Sequence, residues 1–137
     1  MKILIVEDNP DGREIVVLYV RSLGYEVFEA ATGIEGLDQA RAIHPDLILM
    51  DLVLPEMPGH EVIARLKADP STREIPVIVL TALSRGSPSV ERAIAAGAAE
   101  TLYKPLIFKA LGEAIRRHLL LLVFSSVELL FRTGGLL

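Results

Sequence analysis

Three short runs limit what this chain can fold into: Lys2–Val6 (KILIV), Leu47–Met50 (LILM) and Val77–Leu80 (VIVL) show no polar alternation. A strand with one face in water alternates apolar and polar side chains. One that does not alternate is covered on both faces, as in a parallel sheet between helices. The second run extends with its flanking acids to Asp46–Asp51, and the third reaches back to Ile75. Two weaker strand candidates are Tyr25–Ala30 (YEVFEA) and Glu100–Tyr103 (ETLY).

Helical patterns separate these runs. Asn9-Pro10 reads as an N-cap followed by proline at the first helical position. Ile15, Val16, Tyr19, Val20 and Leu23 then form one stripe, and Gly24 stops the helix. Thr32 and Glu35 make a capping box ahead of Ile34, Leu37, Ala40 and Ile43, and His44-Pro45 ends that segment. A third helix over His60–Ala68 buries Val62, Ile63 and Leu66. Ser87-Pro88 opens a fourth, closed at Gly97, and Phe108 opens a fifth through Leu111 and Ile115.

Five strands alternating with five helices predict an α/β fold: a doubly wound five-stranded parallel sheet, order 2-1-3-4-5, flavodoxin-like, with right-handed crossovers. The 137 residues fit one domain, taken as 1–118, with 119–137 as an apolar extension of the last helix and no effector domain. The absence of cysteine excludes disulfides and thiolate metal sites. "MKILIVEDNPDG" is no signal peptide, no run reaches the ~18 apolar residues of a membrane span, and cytoplasmic residence is expected. A net charge of −4 without a basic run argues against direct nucleic-acid binding.

In such sheets ligands bind beyond the carboxyl ends of the strands, where the strand order reverses. Glu7 and Asp8 follow the first strand, and Asp51 ends the third, its expected neighbour. Three converging carboxylates resist ionisation together, and a hard divalent cation such as Mg²⁺ relieves them. Thr81 ends the fourth strand and Lys104 the fifth, where a hydroxyl and a cation can hold phosphoryl oxygens. The set reads as a carboxylate nucleophile, a metal and a phosphoryl cradle. "EDNPDGRE" is not a phosphate-binding glycine loop, which disfavours a dinucleotide or flavin site. A haloacid-dehalogenase-type phosphatase needs a second Asp two residues after the first, but Asp8 is followed by Asn9 and Pro10. The histidines His44, His60 and His118 lie on separate elements without ligand spacing and are expected at the surface.

"VEDN", "LILMDLVLPEMPG", "VIVLTA" and "LYKP", in this order at strand ends, closely resemble the receiver domains of bacterial two-component response regulators over residues 1 to about 118. The overall form is similar to single-domain regulators of chemotaxis and cell-cycle relays. The resemblance implies a phosphoprotein of phosphorelay signal transduction that acts only on its own phosphorylation state and is not otherwise an enzyme. It assigns Asp51 as phosphoacceptor and Glu7, Asp8, Asp51 and the Val53 carbonyl as Mg²⁺ ligands. Thr81, the Ala82 N–H and Lys104 bind the phosphoryl group, and Lys104–Pro105 is expected to be cis. A sensor histidine kinase or phosphotransfer protein would be the donor, and output would pass by protein contact or onward phosphotransfer.

Two departures stand out. The family places an aromatic switch residue three positions before the lysine; here that position is Thr101, and the aromatic is Tyr103, beside Lys104. Any switch would involve Thr81, Thr101 and Tyr103. Val53 and Leu83, two positions beyond Asp51 and Thr81, are apolar and cannot orient an attacking water, so a long-lived phosphoryl group is expected. The rival reading is a binding or dimerisation module of receiver fold that phosphorylation does not regulate.

The tail stands apart. Leu119 to Phe124 is apolar on every side of a helix, Ser125, Ser126 and Glu128 interrupt it, Leu129 to Phe131 follow, and Gly134-Gly135 end any helix. Such a helix must be covered. A homodimer or partner interface is the first expectation. A non-native or truncated terminus is the second, and folding back or lying on a membrane is the third.

Overall fold

The computed structural model describes residues 1–133. Its elements are β1 (Lys2–Val6), α1 (Pro10–Ser22), β2 (Glu26–Ala30), α2 (Gly33–Ile43), β3 (Leu47–Met50), α3 (Gly59–Ala68), β4 (Val77–Thr81), α4 (Pro88–Ala96), β5 (Glu100–Tyr103) and α5 (Phe108–Thr133). The strands form one sheet in the order β2-β1-β3-β4-β5, every pair parallel. The doubly wound five-stranded fold expected from the alternation is the fold observed. The Gly134-Gly135 stop lies outside the described residues.

The unalternating runs have the expected physical cause. On one face Leu4, Val6, Ile48, Met50 and Val79 pack with Val62, Ile63 and Leu66 of α3 and Val90 of α4. On the other, Ile3, Ile5, Leu47, Leu49 and Ile78 meet Val16, Val17 and Val20 of α1 and Leu111 and Ile115 of α5. Both sides of β1, β3 and β4 are therefore dry. Each such side chain contributes roughly 1.5–3 kcal/mol by leaving water.

The end signals act as read. Asn9 accepts from the Gly12 N–H at 2.8 Å and caps α1. Thr32 accepts from the Glu35 N–H at 3.1 Å, while the Glu35 carboxylate reaches back to the Ala31 N–H at 3.1 Å. Gly97 closes α4 at φ +114°.

Two stripes differ from expectation. In α1, Ile15 (54%) and Leu23 (38%) are exposed, and Val17 is buried in their place. In α2 the buried line is Gly33, Gly36, Leu37 and Ala40, while Ile34 faces solvent. α2 lies so close that a Cβ on Gly36 would come within 2.9 Å of the Val6 side chain. Small residues set that approach, and periodicity of large apolar residues does not reveal it.

α5 runs 26 residues, about 39 Å. Leu111, Ala114, Ile115 and Leu119 hold its first half to the sheet. Leu120, Leu121, Val123, Phe124, Val127 and Leu129 to Phe131 are all exposed. No helix among the described residues is long and apolar enough to cross a membrane.

Candidate functional site

The register of β1 against β3 pairs Val6 with Met50, so the residues just beyond each strand emerge side by side. The Asp51 N–H donates to the Val6 carbonyl at 3.0 Å, which fixes the start of the loop that carries the carboxylate. Ligand oxygens of Glu7, Asp8 and Asp51 lie within 4.8 Å of one another. Asp8 is exposed, Glu7 is 8% exposed, and Asp51 lies between them.

Lys104 enters from the end of β5. Its Nζ reaches Glu7 Oε1 at 2.7 Å and Asp51 Oδ2 at 3.2 Å. The Lys104 N–H donates to the Thr81 carbonyl at 2.7 Å, tying the lysine to the end of β4. Asp51 Oδ1 accepts from the N–H groups of Leu52 (2.6 Å) and Val53 (3.2 Å). One carboxylate oxygen is thus held by backbone, and the other faces Lys104. The Lys104–Pro105 peptide is cis.

Burial holds the Glu7 carboxyl above its ordinary range, and Asp51 pushes it the same way, while Lys104 offsets part of this. Burial lowers Lys104, but Glu7 and Asp51 outweigh it and leave the lysine above its usual value. Glu7 Oε2 is buried with no hydrogen-bond partner. An orphaned oxygen at the centre of an all-oxygen acidic cluster fits a hard divalent cation.

A stability prediction follows from the sign of the Glu7 shift. A raised carboxyl pKa means the folded state holds the proton more tightly than the unfolded chain does. Ionised Glu7 therefore costs stability, increasingly as pH rises from about 4.5 through the raised value. With EDTA present, Glu7→Gln is expected to raise Tm at pH 7 and to lose this advantage below pH 4. A lower Tm for the variant at pH 7 would show that its bond to Lys104 outweighs burial.

The remaining site residues cluster less tightly. Thr81 is fully buried, and its hydroxyl accepts from the Leu83 N–H at 3.1 Å, which leaves its own O–H able to donate. Ala82 is exposed at the same rim, and Val53 is 61% exposed. Leu83 packs against the α3–α4 side of the core. In the sheet register Tyr103 stands beside Thr81, whereas Thr101 stands beside Val79. Tyr103 is therefore the strand neighbour of Thr81, and Arg85 lies 4.2 Å from its ring centroid.

Some participants were not singled out from sequence. Arg13 donates to the Glu7 carbonyl at 2.8 Å and pairs with Glu29 at 3.1 Å, pinning the acidic loop to β2. Its only sequence signal is a cation one helical turn after the acids. Gly59 abuts the Asp51 backbone. Among the histidines, His44 is exposed, but His60 is half-buried and His118 bonds Glu100 at 3.0 Å, so the last two are not simple surface residues.

Known proteins match this chain in sequence and fold. Residues 3–116 match the response regulator receiver domain family. The polar-differentiation response regulator DivK of Brucella ovis is 39% identical over 117 residues, covering 85% of this chain and 94% of that protein. The receiver domain of a sensor histidine kinase from Pseudomonas aeruginosa PAO1 superposes with a TM-score of 0.81 at 34% identity, over 86% of this chain and 96% of that one. That structure has a magnesium ion coordinated in its active-site cleft. The chemotaxis protein CheY4 of Vibrio cholerae gives a TM-score of 0.78 at 29% identity, over 85% and 96% of the two chains. With five parallel strands in this order, an acidic pocket at their carboxyl ends and a match over most of its length, the chain belongs to the response regulator receiver domains of two-component systems.

Proposed function

We propose that this receiver accepts a phosphoryl group on Asp51 from a histidine kinase or phosphotransfer protein and signals by protein contact or onward phosphotransfer. The observation that carries the reading is the convergence of Glu7, Asp8 and Asp51 with Lys104 bridging two of them. Lys104 lays one positive charge across Glu7 and Asp51.

Glu7, Asp8, Asp51 and the Val53 backbone carbonyl would hold Mg²⁺. When bound, the metal neutralises charge on the acids and on the incoming phosphoryl oxygens. A carboxylate oxygen of Asp51 forms the new P–O bond as the donor's P–N bond breaks and the imidazole leaves. With acetyl phosphate, a P–O bond breaks and acetate leaves. The two backbone N–H groups on Asp51 Oδ1 keep the carboxylate in one orientation. Lys104 holds a phosphoryl oxygen by charge, and the Thr81 O–H and Ala82 N–H donate to others. Tyr103, beside Thr81, is the residue through which Thr81 movement would reach the β5 surface.

The test is incubation with acetyl phosphate and Mg²⁺, read by intact mass. One added phosphoryl group that EDTA prevents is the expected result. A chain that stays unlabelled supports the binding-module alternative. The phosphorylated protein also reports on Val53 and Leu83. Neither side chain can polarise a water, so the acyl phosphate is expected to last minutes or longer, and decay within seconds would refute this.

A further inference from the structure

We infer that Arg13 is a positioning residue for divalent-cation binding at the acidic site. The inference rests on the reading of Glu7, Asp8 and Asp51 as magnesium ligands, and it concerns how Asp8 is held. Asp8 is exposed, and among the described residues its side chain makes no hydrogen bond or ion pair. Backbone alone therefore aims it. The Glu7 carbonyl and the Asp8 N–H belong to one planar peptide, so whatever fixes that carbonyl fixes the plane from which Asp8 departs. Upstream, the Glu7 N–H donates to the Ala30 carbonyl at 3.0 Å. Downstream, the Asn9 carbonyl accepts from the Arg13 N–H at 2.9 Å and opens α1. The plane between them is held by the Arg13 side chain, whose Nη1 donates to the Glu7 carbonyl at 2.8 Å.

The guanidinium has a second anchor. Its Nε donates to Glu29 Oε1 at 3.1 Å, and Glu29 stands beside Ile5 in the register of β2 with β1. The Glu29 carbonyl in turn accepts from the Gln39 amide of α2. A planar fork thus ties the acidic loop to the edge strand, which a single ammonium group cannot fully reproduce. Unlike Lys104, Arg13 pairs with none of the three carboxylates, so its role is not to neutralise them. Charge and position then predict opposite results for its removal. By charge alone, losing a cation near the site would tighten binding of a divalent ion. By position, it frees the Glu7–Asp8 peptide and loosens two ligands. Glu29 already balances the Arg13 charge at 3.1 Å, so the repulsion is weak. Groups that orient metal ligands are worth roughly 10–100-fold in affinity, so position wins.

Calorimetric titration of the EDTA-treated full chain with MgCl₂ alone tests this. Arg13→Gln is expected to weaken Mg²⁺ binding about 10-fold. Arg13→Lys should recover part of the loss, because it keeps one donor for the Glu7 carbonyl. Glu29→Gln should weaken binding less, since the bond to that carbonyl survives. The double variant should match Arg13→Gln alone, because Glu29 acts only through Arg13. Circular dichroism reports the fold of each variant, and if Arg13→Gln does not fold, Glu29→Gln decides by the same titration. A merely structural role would lower Tm in EDTA and leave the Mg²⁺ affinity of the folded variants unchanged. Equal or tighter Mg²⁺ binding by the folded variants, beside a wild type that binds, would overturn this proposal alone. A wild type that takes up no Mg²⁺ would overturn the reading of the acidic site and the proposal with it.

Discussion

Asp51→Asn is expected to abolish phosphoryl incorporation, by at least about a thousandfold, with little change in fold. The substitution keeps the size of the side chain and an oxygen able to accept from the Leu52 and Val53 N–H groups. It removes the anionic oxygen that would form the P–O bond. Lys104 keeps Glu7 as a partner at 2.7 Å, so no buried cation is left stranded. Intact mass after acetyl phosphate treatment should show no added phosphoryl group, while circular dichroism and Tm stay near wild type. Labelling of the Asn variant at the wild-type level would remove Asp51 from its assigned role, whatever the rest of the site does.

Gly59→Ala is expected to cost about 2–3 kcal/mol, roughly 8–12 °C in Tm, and to slow phosphorylation more than tenfold in the protein that remains folded. Helix propensity alone argues the opposite, since Ala is the better helix former. The structure reverses the sign. A Cβ on Gly59 would come 2.5 Å from the Asp51 carbonyl oxygen and 2.7 Å from the Leu52 Cα. Both are backbone atoms, so a side-chain rotation cannot relieve the clash. The Gly59 N–H also donates to the Leu52 carbonyl at 2.9 Å. Moving α3 away would break that bond and shift the segment that orients the Asp51 carboxylate. A Tm within about two degrees of wild type would show that the loop yields freely.

The β1, β3 and β4 runs were legible because a sheet covered on both faces removes the need for polar alternation. Helix ends were legible where the cap is local, as at Asn9 and Thr32. The inward faces of α1 and α2 were legible only in part: Val16, Val20, Leu37 and Ala40 are buried as expected. Val17 replaces Ile15 and Leu23, and Gly36 takes a place that a search for large apolar residues overlooks, because close packing rewards fit rather than hydrophobicity. The convergence of Glu7, Asp8, Asp51 and Lys104 was legible because each sits just beyond a strand end and the strand order brings those ends together. Arg13 was not, since its target is a backbone carbonyl, which no side-chain pattern marks.

Thr101 and Tyr103 show the same division. Their order along β5 is plain in the chain, and it suggests a displaced aromatic. Only the parallel register shows that Tyr103, and not Thr101, is the strand neighbour of Thr81. The sequence by itself determined the alternation of elements, the covered sheet and the residue types at its carboxyl rim, because those depend on local periodicity and on position after a strand. Tertiary structure alone decided which oxygens Lys104 bridges, which residue stands beside Thr81, how closely Gly59 approaches Asp51 and which side of α5 stays uncovered. These depend on distances between segments far apart in the chain, which periodicity cannot encode.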